Sequence, residues 1–211
     1  NEYKSSFENP KKLSDFVETS FGDTASYAAV FIPGGHGAMI GIPEDGNVGK
    51  TLNWAHANNL FTISLCHGPG SLLTTSLDNN KFIYAGYEMA VFPDSVDKMT
   101  PKIGYLPGHM PWGLSEKMQS LGVNLMNSKS DNTVCVDRKL ITGASPLASN
   151  ELGESTNAGK IAAVAAASIS TYTAIAGQLA AFSTSSVPGY AVAQAILTGA
   201  TGLLQVKKIL A

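Results

Sequence analysis

The stretch FTISLCHGPGSLLTTSL, residues 61–77, decides the fold of this chain. Its apolar, β-rich start predicts a strand, CHGPG predicts a sharp turn, and the leucines that follow have the spacing of a helix. This order places Cys66 at the apex of the turn, at the mouth of a sheet. Its thiolate would lie at the positive end of the helix dipole, which favours the ionised, nucleophilic form. The alternative is a buried cysteine that only fills space at a strand end.

A second strand and a glycine-rich loop precede this stretch. Residues 27–32, YAAVFI, predict a buried strand that ends in PGGHG, residues 33–37, and residues 48–58 fit the helix that leads on to the next strand. His56 on that helix is expected to be a solvated surface residue. Alternating strands and helices predict an α/β fold with a parallel sheet, whose strand C-termini line one edge. Ligands bind at such an edge, and a glycine-rich loop lets backbone N–H groups approach them closely.

Shorter elements are predicted beyond the turn. Strands are expected at residues 81–84, 88–92, 123–126, 133–136 and 140–141, and helices at 115–121 and 145–152. Ser145 would cap the last helix, with Pro146 at its first position. Residues 100–112, TPKIGYLPGHMPW, contain three prolines and two glycines, so they cannot form a regular helix or a central strand. A long ordered loop of this kind forms either the wall of a site or a packing flap.

A nucleophilic Cys66 needs a base, and the base needs an acid that orients it. His67 is adjacent, and a tight turn can bring both side chains to one rim. Asp97, in a later loop, could hold the imidazole in its working tautomer; the alternative for Asp97 is a solvated loop carboxylate, which is the interpretation we favour for Asp94. The backbone N–H groups of Gly35 and His67 could receive a developing oxyanion.

Composition excludes several classes of function. A net charge of −2 and a pI of about 6.1 predict no nucleic-acid partner. Two cysteines, Cys66 and Cys135, make no disulfide framework, so a reducing cytoplasm is the expected location. No CxxC, HExxH or P-loop pattern is present, and we predict no metal site. The chain begins at Asn1 without a methionine or an apolar signal region, so we expect this start to be a cut.

The charge changes abruptly near residue 154. Residues 1–154 hold all 16 acidic and 11 of the 14 basic side chains, whereas residues 155–211 hold three lysines and no acid. We therefore expect an α/β domain over residues 1–153 and a separate tail over residues 154–211. The uncharged runs 161–182 and 187–206 are long enough to span a membrane, but their small residues supply little transfer energy. We predict a hairpin of two packed helices rather than a membrane anchor.

Four stretches resemble the ThiJ/PfpI superfamily and, within it, the bacterial holding-chaperone and glyoxalase III family. They are YAAVFIPGGHGAMIGIPE (27–44), ISLCHGP (63–69), FPDSVDKMTPKIGYLPGHMPW (92–112) and DRKLITGASPLASNELG (137–153). The resemblance covers about residues 11–153 and implies a flavodoxin-like parallel-sheet sandwich with a nucleophile elbow. Position by position, it places the catalytic triad on Cys66, His67 and Asp97. It places the oxyanion donors on the Gly34 and Gly35 loop and the His67 amide.

The resemblance implies a glyoxalase III type lyase, or deglycase, that needs no glutathione or other cofactor. Its substrate would be a small 2-oxoaldehyde such as methylglyoxal. The resemblance leaves open whether the chain forms a homodimer. The family also has an upstream section with the first strand, a glutamate that partners the cysteine and a metal site, and this chain begins after it. The tail is unlike the family. The alternatives are a holding chaperone for unfolded client proteins, a cysteine peptidase or amidase, and an inactive fragment.

Overall fold

The computed structural model describes residues 8–155 and the backbone of residues 204–207. Its strands are β1 (Tyr27–Ile32), β2 (Phe61–Leu65), β3 (Glu88–Met89), β4 (Asn124–Leu125), β5 (Val134–Asp137), β6 (Leu140–Gly143) and β7 (Leu204–Lys207). Five of them form one sheet in the order β5-β6-β2-β1-β7, and β3 pairs with β4. The three central strands β6, β2 and β1 are parallel, whereas β5 and β7 are antiparallel edges. The predicted α/β fold with a parallel sheet is confirmed.

Helices and 3₁₀ turns connect these strands. The α-helices are α1 (Leu13–Thr19), α2 (Gly46–Ala57), α3 (Asp94–Asp97), α4 (Leu114–Ser120) and α5 (Ser149–Ser155). Helix α2 joins β1 to β2 as predicted, and it begins two residues earlier than expected. The reason is Asp45, whose carboxylate accepts hydrogen bonds from the backbone N–H groups of Asn47 and Val48. Ser145 caps the 3₁₀ turn Pro146–Ala148 that leads into α5, with Pro146 at its start.

The helix after the turn at Cys66 differs from the prediction. Residues Gly68–Asn79 form a 3₁₀ helix, not an α-helix, and the chain leaves helical geometry at Leu77. Four hydroxyl side chains of this segment donate to the carbonyl oxygen three residues earlier: Ser71, Thr74, Thr75 and Ser76. Such local bonds compete with the α-helical pattern, which accounts for the tighter winding.

Two of the predicted strands are also wrong in part. Residues 81–84 form no strand, because a turn covers residues 83–86, although Tyr84 is buried and its hydroxyl lies 3.1 Å from Thr62 Oγ1. The strand expected over 88–92 is reduced to β3. Beyond it, the backbone N–H groups of Ala90 and Val91 donate to the side chains of Thr142 and Asn127. Side chains therefore replace the sheet ladder in this segment, which a local β pattern does not show.

The tail lies mostly outside the described residues. The predicted helical hairpin falls on residues 156–203 and 208–211, which are not described, and on Leu204–Lys207. Those last four residues form β7, which pairs antiparallel with β1, so the prediction of a helix through residue 206 is wrong there. Within residues 8–155, no helix is long and apolar enough to cross a membrane. The division at residue 153 stays a prediction.

Apolar packing fixes the two strands that end at the candidate site. Phe31 and Ile32 of β1 and Ile63 and Leu65 of β2 are all fully buried. An aromatic cluster holds α1 against α2, with Trp54 stacked on Phe21 and Phe16 and Tyr27 edge-on to Trp54. The indole N–H of Trp54 also donates to the carbonyl oxygen of Phe21 at 2.8 Å. Burial of Phe31, Ile32 and Leu65 therefore holds the C-terminal ends of β1 and β2 in place, and the aromatic cluster anchors the opposite end of β1.

Candidate active site

Cys66 stands at a strained apex directly after β2. Its φ of +62° lies in the left-handed region, which a non-glycine residue adopts only when its surroundings hold it there. The backbone N–H of Cys66 donates to the carbonyl oxygen of Gly143 at 2.8 Å, and its carbonyl oxygen accepts from the N–H of Phe92 at 3.0 Å. These two bonds clamp the apex between the end of β6 and the segment after β3. Strain of this kind is typical of functional sites.

Two glycines allow the loop after β1 to lie against the elbow. A Cβ atom at Gly34 would contact the carbonyl oxygen of Leu65 and stand 2.6 Å from the Cβ of Cys66. A Cβ atom at Gly68 would stand 2.7 Å from the carbonyl oxygen of Ile32. Neither position has room for a side chain. The close approach brings the Gly34 and Gly35 loop beside the thiol, and its role as an oxyanion donor stays a prediction.

The three residues expected to form a triad lie in one hydrogen-bonded chain. Cys66 Sγ is 3.2 Å from His67 Nδ1, and His67 Nε2 is 2.8 Å and 3.1 Å from the two carboxylate oxygens of Asp97. All three are buried, with exposed fractions of 4% for Cys66, 0% for His67 and 4% for Asp97. The solvated-loop alternative for Asp97 is therefore wrong, and the thiol is more enclosed than a position on an open rim would be.

Electrostatics favours a charged pair in this chain. Burial alone would lower the pKa of His67, but the adjacent Cys66 thiolate and the hydrogen bond to Asp97 outweigh it and raise that pKa to about 10. Burial alone would raise the pKa of Asp97, but hydrogen bonds from His36 and His67 lower it below its ordinary value. We infer that His67 is an imidazolium at neutral pH, with Nδ1–H donating to Sγ and Nε2–H donating to Asp97.

A second histidine, His36, reaches the same carboxylate. Its Nε2 lies 3.2 Å from Oδ1 of Asp97, and its ring centroid is 4.4 Å from that of His67. It begins the short 3₁₀ helix His36–Met39, which follows Gly35 at φ +104°. Sequence reasoning singled out the PGGHG loop for its backbone and missed the side chain within it. The available signal was a histidine in a loop at the C-terminal end of a parallel strand.

Aromatic side chains wall the site. The ring of Phe92 stacks on that of His67 with centroids 4.4 Å apart, and the ring centroid of Tyr105 lies 5.7 Å from that of His36. Partial burial and the negative charge of Cys66 raise the pKa of Tyr105. Tyr105 belongs to the proline-rich segment 100–112, and Trp112 of the same segment packs against Gly70. This segment thus forms a wall of the site.

A cavity of about 270 Å³ adjoins the Asp97 side of the triad. Its lining residues are Asp94, Asp97, Lys98, His109, Met110, Trp112 and Gly113. Cys66 and His67 are not among them, so the cavity borders the orienting acid and not the thiol. Met110 and Trp112 give it an apolar wall beside the carboxylate.

Asp94 is not the solvated loop carboxylate that we expected. Its two oxygens accept hydrogen bonds from the backbone N–H groups of Ser115 at 2.8 Å and Glu116 at 3.0 Å, at the start of α4. It caps α4 from outside and so fixes the single turn α3 that carries Asp97. His56, in contrast, is exposed on α2 as predicted, and its Nε2 lies 3.2 Å from the Tyr87 hydroxyl, away from the triad.

Ligand atoms of His36, His67 and Asp97 all lie within 4.8 Å of one another, a set that can hold a metal ion. Two imidazoles and a carboxylate suit zinc and related ions. In the structure the same atoms are paired at hydrogen-bond distance, so a metal would bind only in place of the protons that they share. The sequence predicted no metal here.

The fold and the site together define a flavodoxin-like α/β protein whose strained elbow cysteine is linked through a histidine to an aspartate. Over 153 residues, or 72% of the chain, it is 48% identical to the protein/nucleic acid deglycase HchA of Escherichia coli (strain K12 / DH10B), and the match covers 53% of that protein. No protein-family model matches the chain. This similarity supports the resemblance to the ThiJ/PfpI superfamily and, within it, to proteins of HchA type. The chain spans about half the length of the curated relatives it matches.

Solved structures share this fold. The Rapid Encystment Protein of Francisella tularensis matches with a TM-score of 0.60 and 23% identity, over 74% of this chain and 65% of that chain. Glyoxalase III from Candida albicans matches with a TM-score of 0.53 and 19% identity, over 74% of this chain and 68% of that chain. At these identities the likeness concerns the fold alone.

Proposed function

We propose that the chain carries the thiol chemistry of a glutathione-independent glyoxalase III type enzyme, with deglycase activity, that converts 2-oxoaldehydes such as methylglyoxal into hydroxy acids. The observation that carries this proposal is the continuous hydrogen-bonded chain Cys66–His67–Asp97 at a strained elbow. The name of the E. coli relative supports it, because deglycation and glyoxalase chemistry both begin with an aldehyde-derived carbon that a thiolate can attack.

The first step is addition of the Cys66 thiolate to the aldehyde carbon. A C–S bond forms as the carbonyl π bond opens, and the negative charge moves to oxygen. The backbone N–H groups of Gly35 and His67 would stabilise that oxyanion, and the imidazolium of His67 would then give it a proton. The product is a hemithioacetal and a neutral imidazole. Asp97 keeps the ring in the orientation that this transfer requires.

The second step moves hydrogen between the two substrate carbons. A base, either the neutral His67 or the upstream glutamate that the family resemblance implies, takes the proton from the carbon bonded to sulfur. An enediol results, and protonation of the neighbouring carbon gives a thioester. Water then cleaves the C–S bond, which gives the hydroxycarboxylate, the thiolate and two protons. One proton returns to His67 and restores the imidazolium, and the other leaves the site, so each turnover releases one net proton. No electrons are exchanged with an external carrier.

The direct test is formation of lactate from methylglyoxal without glutathione. We expect Cys66→Ala to lower the rate by about 10³-fold or more, the scale seen when a nucleophile is removed from an enzyme. Cys135→Ala is the matched control, because Cys135 is a buried cysteine outside the site and should leave the rate unchanged. Equal activity of Cys66→Ala and the unmodified chain would show that Cys66 is not the nucleophile.

A holding-chaperone function is the second candidate. The segment beside the site exposes three large apolar side chains, Met99, Ile103 and Tyr105, with Ile103 72% exposed. Such a patch can capture unfolded chains without any use of the thiol. Suppression of the aggregation of a denatured client should then survive Cys66→Ala and weaken in Ile103→Ser.

If instead the chain turns over a fluorogenic peptide, the triad performs acyl transfer and the chain is a peptidase or amidase.

The substrate range needs its own test. The name of the E. coli relative includes nucleic acid, which does not agree with our expectation of no nucleic-acid partner. The net charge of −2 argues against tight binding to a phosphate backbone but not against repair of a single adduct. We propose small carbonyl compounds as the principal substrates. Release of guanine nucleotide from its methylglyoxal adduct, absent in Cys66→Ala, would extend the range to glycated nucleotides.

A further inference from the structure

One short segment, residues 90–93, supports every member of the triad. The backbone N–H of Phe92 donates to the carbonyl oxygen of Cys66 at 3.0 Å, and the Phe92 ring stacks on that of His67. The segment then leads directly into α3, which carries Asp97. The position of this segment therefore decides how the elbow, the imidazole and the carboxylate lie relative to one another.

Side chains hold this segment where the strand ladder stops. Strand β3 ends at the residue before it, and the backbone N–H of Ala90 donates to Oγ1 of Thr142 at 2.8 Å. Both backbone polar groups of Val91 are bonded to one side chain, that of Asn127. Oδ1 of Asn127 accepts from the Val91 N–H at 3.0 Å, and Nδ2 of Asn127 donates to the Val91 carbonyl oxygen at 2.8 Å.

The amide of Asn127 takes the place of a neighbouring strand. An asparagine side chain carries the same kinds of donor and acceptor as a peptide group, so it can pair with a backbone in the same way. Asn127 follows β4, which pairs with β3, and its side chain extends that pairing. Nδ2 of Asn127 also donates to the carbonyl oxygen of Lys129 at 2.9 Å, which fixes the plane of the amide. Because Val91 is buried, loss of the amide would leave buried polar groups unsatisfied.

We propose that Asn127 is a positioning residue for the triad, which acts through Val91 and Phe92 on the elbow cysteine. This inference rests on the function proposed above. Asn127 has no described bond to any member of the triad, so it sets the geometry of the site and takes no part in the chemistry. The left-handed backbone of Cys66 makes the elbow sensitive to this support, because a strained turn persists only where its surroundings hold it.

The kinetics of Asn127→Ala test this role. We expect kcat for lactate formation from methylglyoxal to fall at least about tenfold, because a displaced elbow no longer aligns the thiol with the aldehyde carbon. KM should stay unchanged, because the lost support acts on the alignment of the triad and not on substrate binding. The matched control is Asn124→Ala, at an exposed asparagine of β4, which should change neither constant. If the alanine variant does not fold, Asn127→Asp, which keeps an acceptor for the Val91 N–H, should show the same fall in kcat at unchanged KM.

Amide hydrogen exchange tests the same role without turnover. The Phe92 amide is bonded to the carbonyl oxygen of Cys66, and the Thr62 amide, in the central strand β2, is bonded to that of Lys139 at 2.8 Å. In Asn127→Ala, we expect exchange at Phe92 to accelerate at least about tenfold more than exchange at Thr62, because only the segment beside the elbow is released. A general loss of stability would accelerate both amides equally.

Two results would overturn the proposal. One is an unchanged kcat in Asn127→Ala, or a loss that is found mainly in KM. The other is equal acceleration of exchange at Phe92 and Thr62, which would make the role of Asn127 structural only. If the unmodified chain forms no lactate, the proposed function fails, and the exchange rates still decide whether Asn127 holds Phe92 against the elbow.

Discussion

Single residues decide whether Cys66 can act as a nucleophile. The left-handed backbone of Cys66 needs a clamp, and the bonds to Gly143 and Phe92 supply it. His67 Nδ1 then lies 3.2 Å from the sulfur, within reach for proton exchange with the thiol. Sequence reasoning singled out Cys66 and His67 because a cysteine after a buried strand followed by His-Gly-Pro-Gly is a recognisable local pattern, and the family resemblance added Asp97 from a later loop. It missed His36, since residues 36 and 97 are brought together only by the fold.

Gly34→Ala tests the close approach of the two loops. The added Cβ would meet the carbonyl oxygen of Leu65 and the Cβ of Cys66, and both belong to the clamped elbow. We expect a loss of about 1–3 kcal/mol in the free energy of unfolding, the usual effect of overpacking, together with reduced lactate formation. Urea denaturation measures the first. Gly22→Ala is the control, since a Cβ there meets nothing within 4 Å; equal stability of the two variants would contradict the close approach.

At the scale of elements, short and irregular pieces carry the functional side chains. The buried runs of β1 and β2 predict the sheet because apolar residues at strand spacing have few other uses, and the structure confirms both strands. The pieces around them were harder to predict. Hydroxyl back-bonding converts the helix after the elbow into a 3₁₀ helix, and distant side chains shorten β3. Asp97 lies on α3, a single turn whose position depends on the cap that Asp94 provides to α4.

Asp94→Ala tests this link between α3 and α4. Loss of the two acceptors at the start of α4 should cost about 1 kcal/mol in the free energy of unfolding, as loss of a helix cap does. Because Asp97 sits on the same turn, lactate formation should fall as well. The exposed neighbour gives the control, and Ser95→Ala should change neither quantity. If Asp94→Ala is destabilised but fully active, the cap on α4 does not determine the position of Asp97.

At the scale of the whole molecule, the buried charged site ties stability to pH. His67 binds its proton more tightly in the folded state, with a pKa raised from 6.5 to about 10, so its contribution is fully present below pH 6.5. That contribution is lost as pH rises from 6.5 through about 10.

The five-stranded sheet shows how much of the whole fold can be predicted from the sequence. Its parallel core followed from the strand pattern, whereas the edge strand β7 comes from a segment whose composition indicated a helix. The cytoplasmic location and the role of the tail stay predictions.

Stability measured against pH tests the charged site as a unit. The difference in unfolding free energy between the unmodified chain and His67→Gln should shrink steadily between pH 6.5 and 10. Burial and the charges of Glu88 and Asp137 raise the pKa of Cys135 to about 11, and this also lowers stability at high pH. Both chains contain Cys135, so the comparison removes its effect. A difference that stays constant over this range would mean that His67 holds no extra proton in the folded state.

The most direct test of the central claim is mass spectrometry of the chain quenched during turnover of methylglyoxal. The account predicts a transient adduct of one methylglyoxal unit on the peptide that carries Cys66, rising and falling with lactate formation, and none on the peptide that carries Cys135. Lactate formation that continues after Cys66 has been fully alkylated, with no adduct on its sulfur, would contradict the assignment of this thiol as the nucleophile.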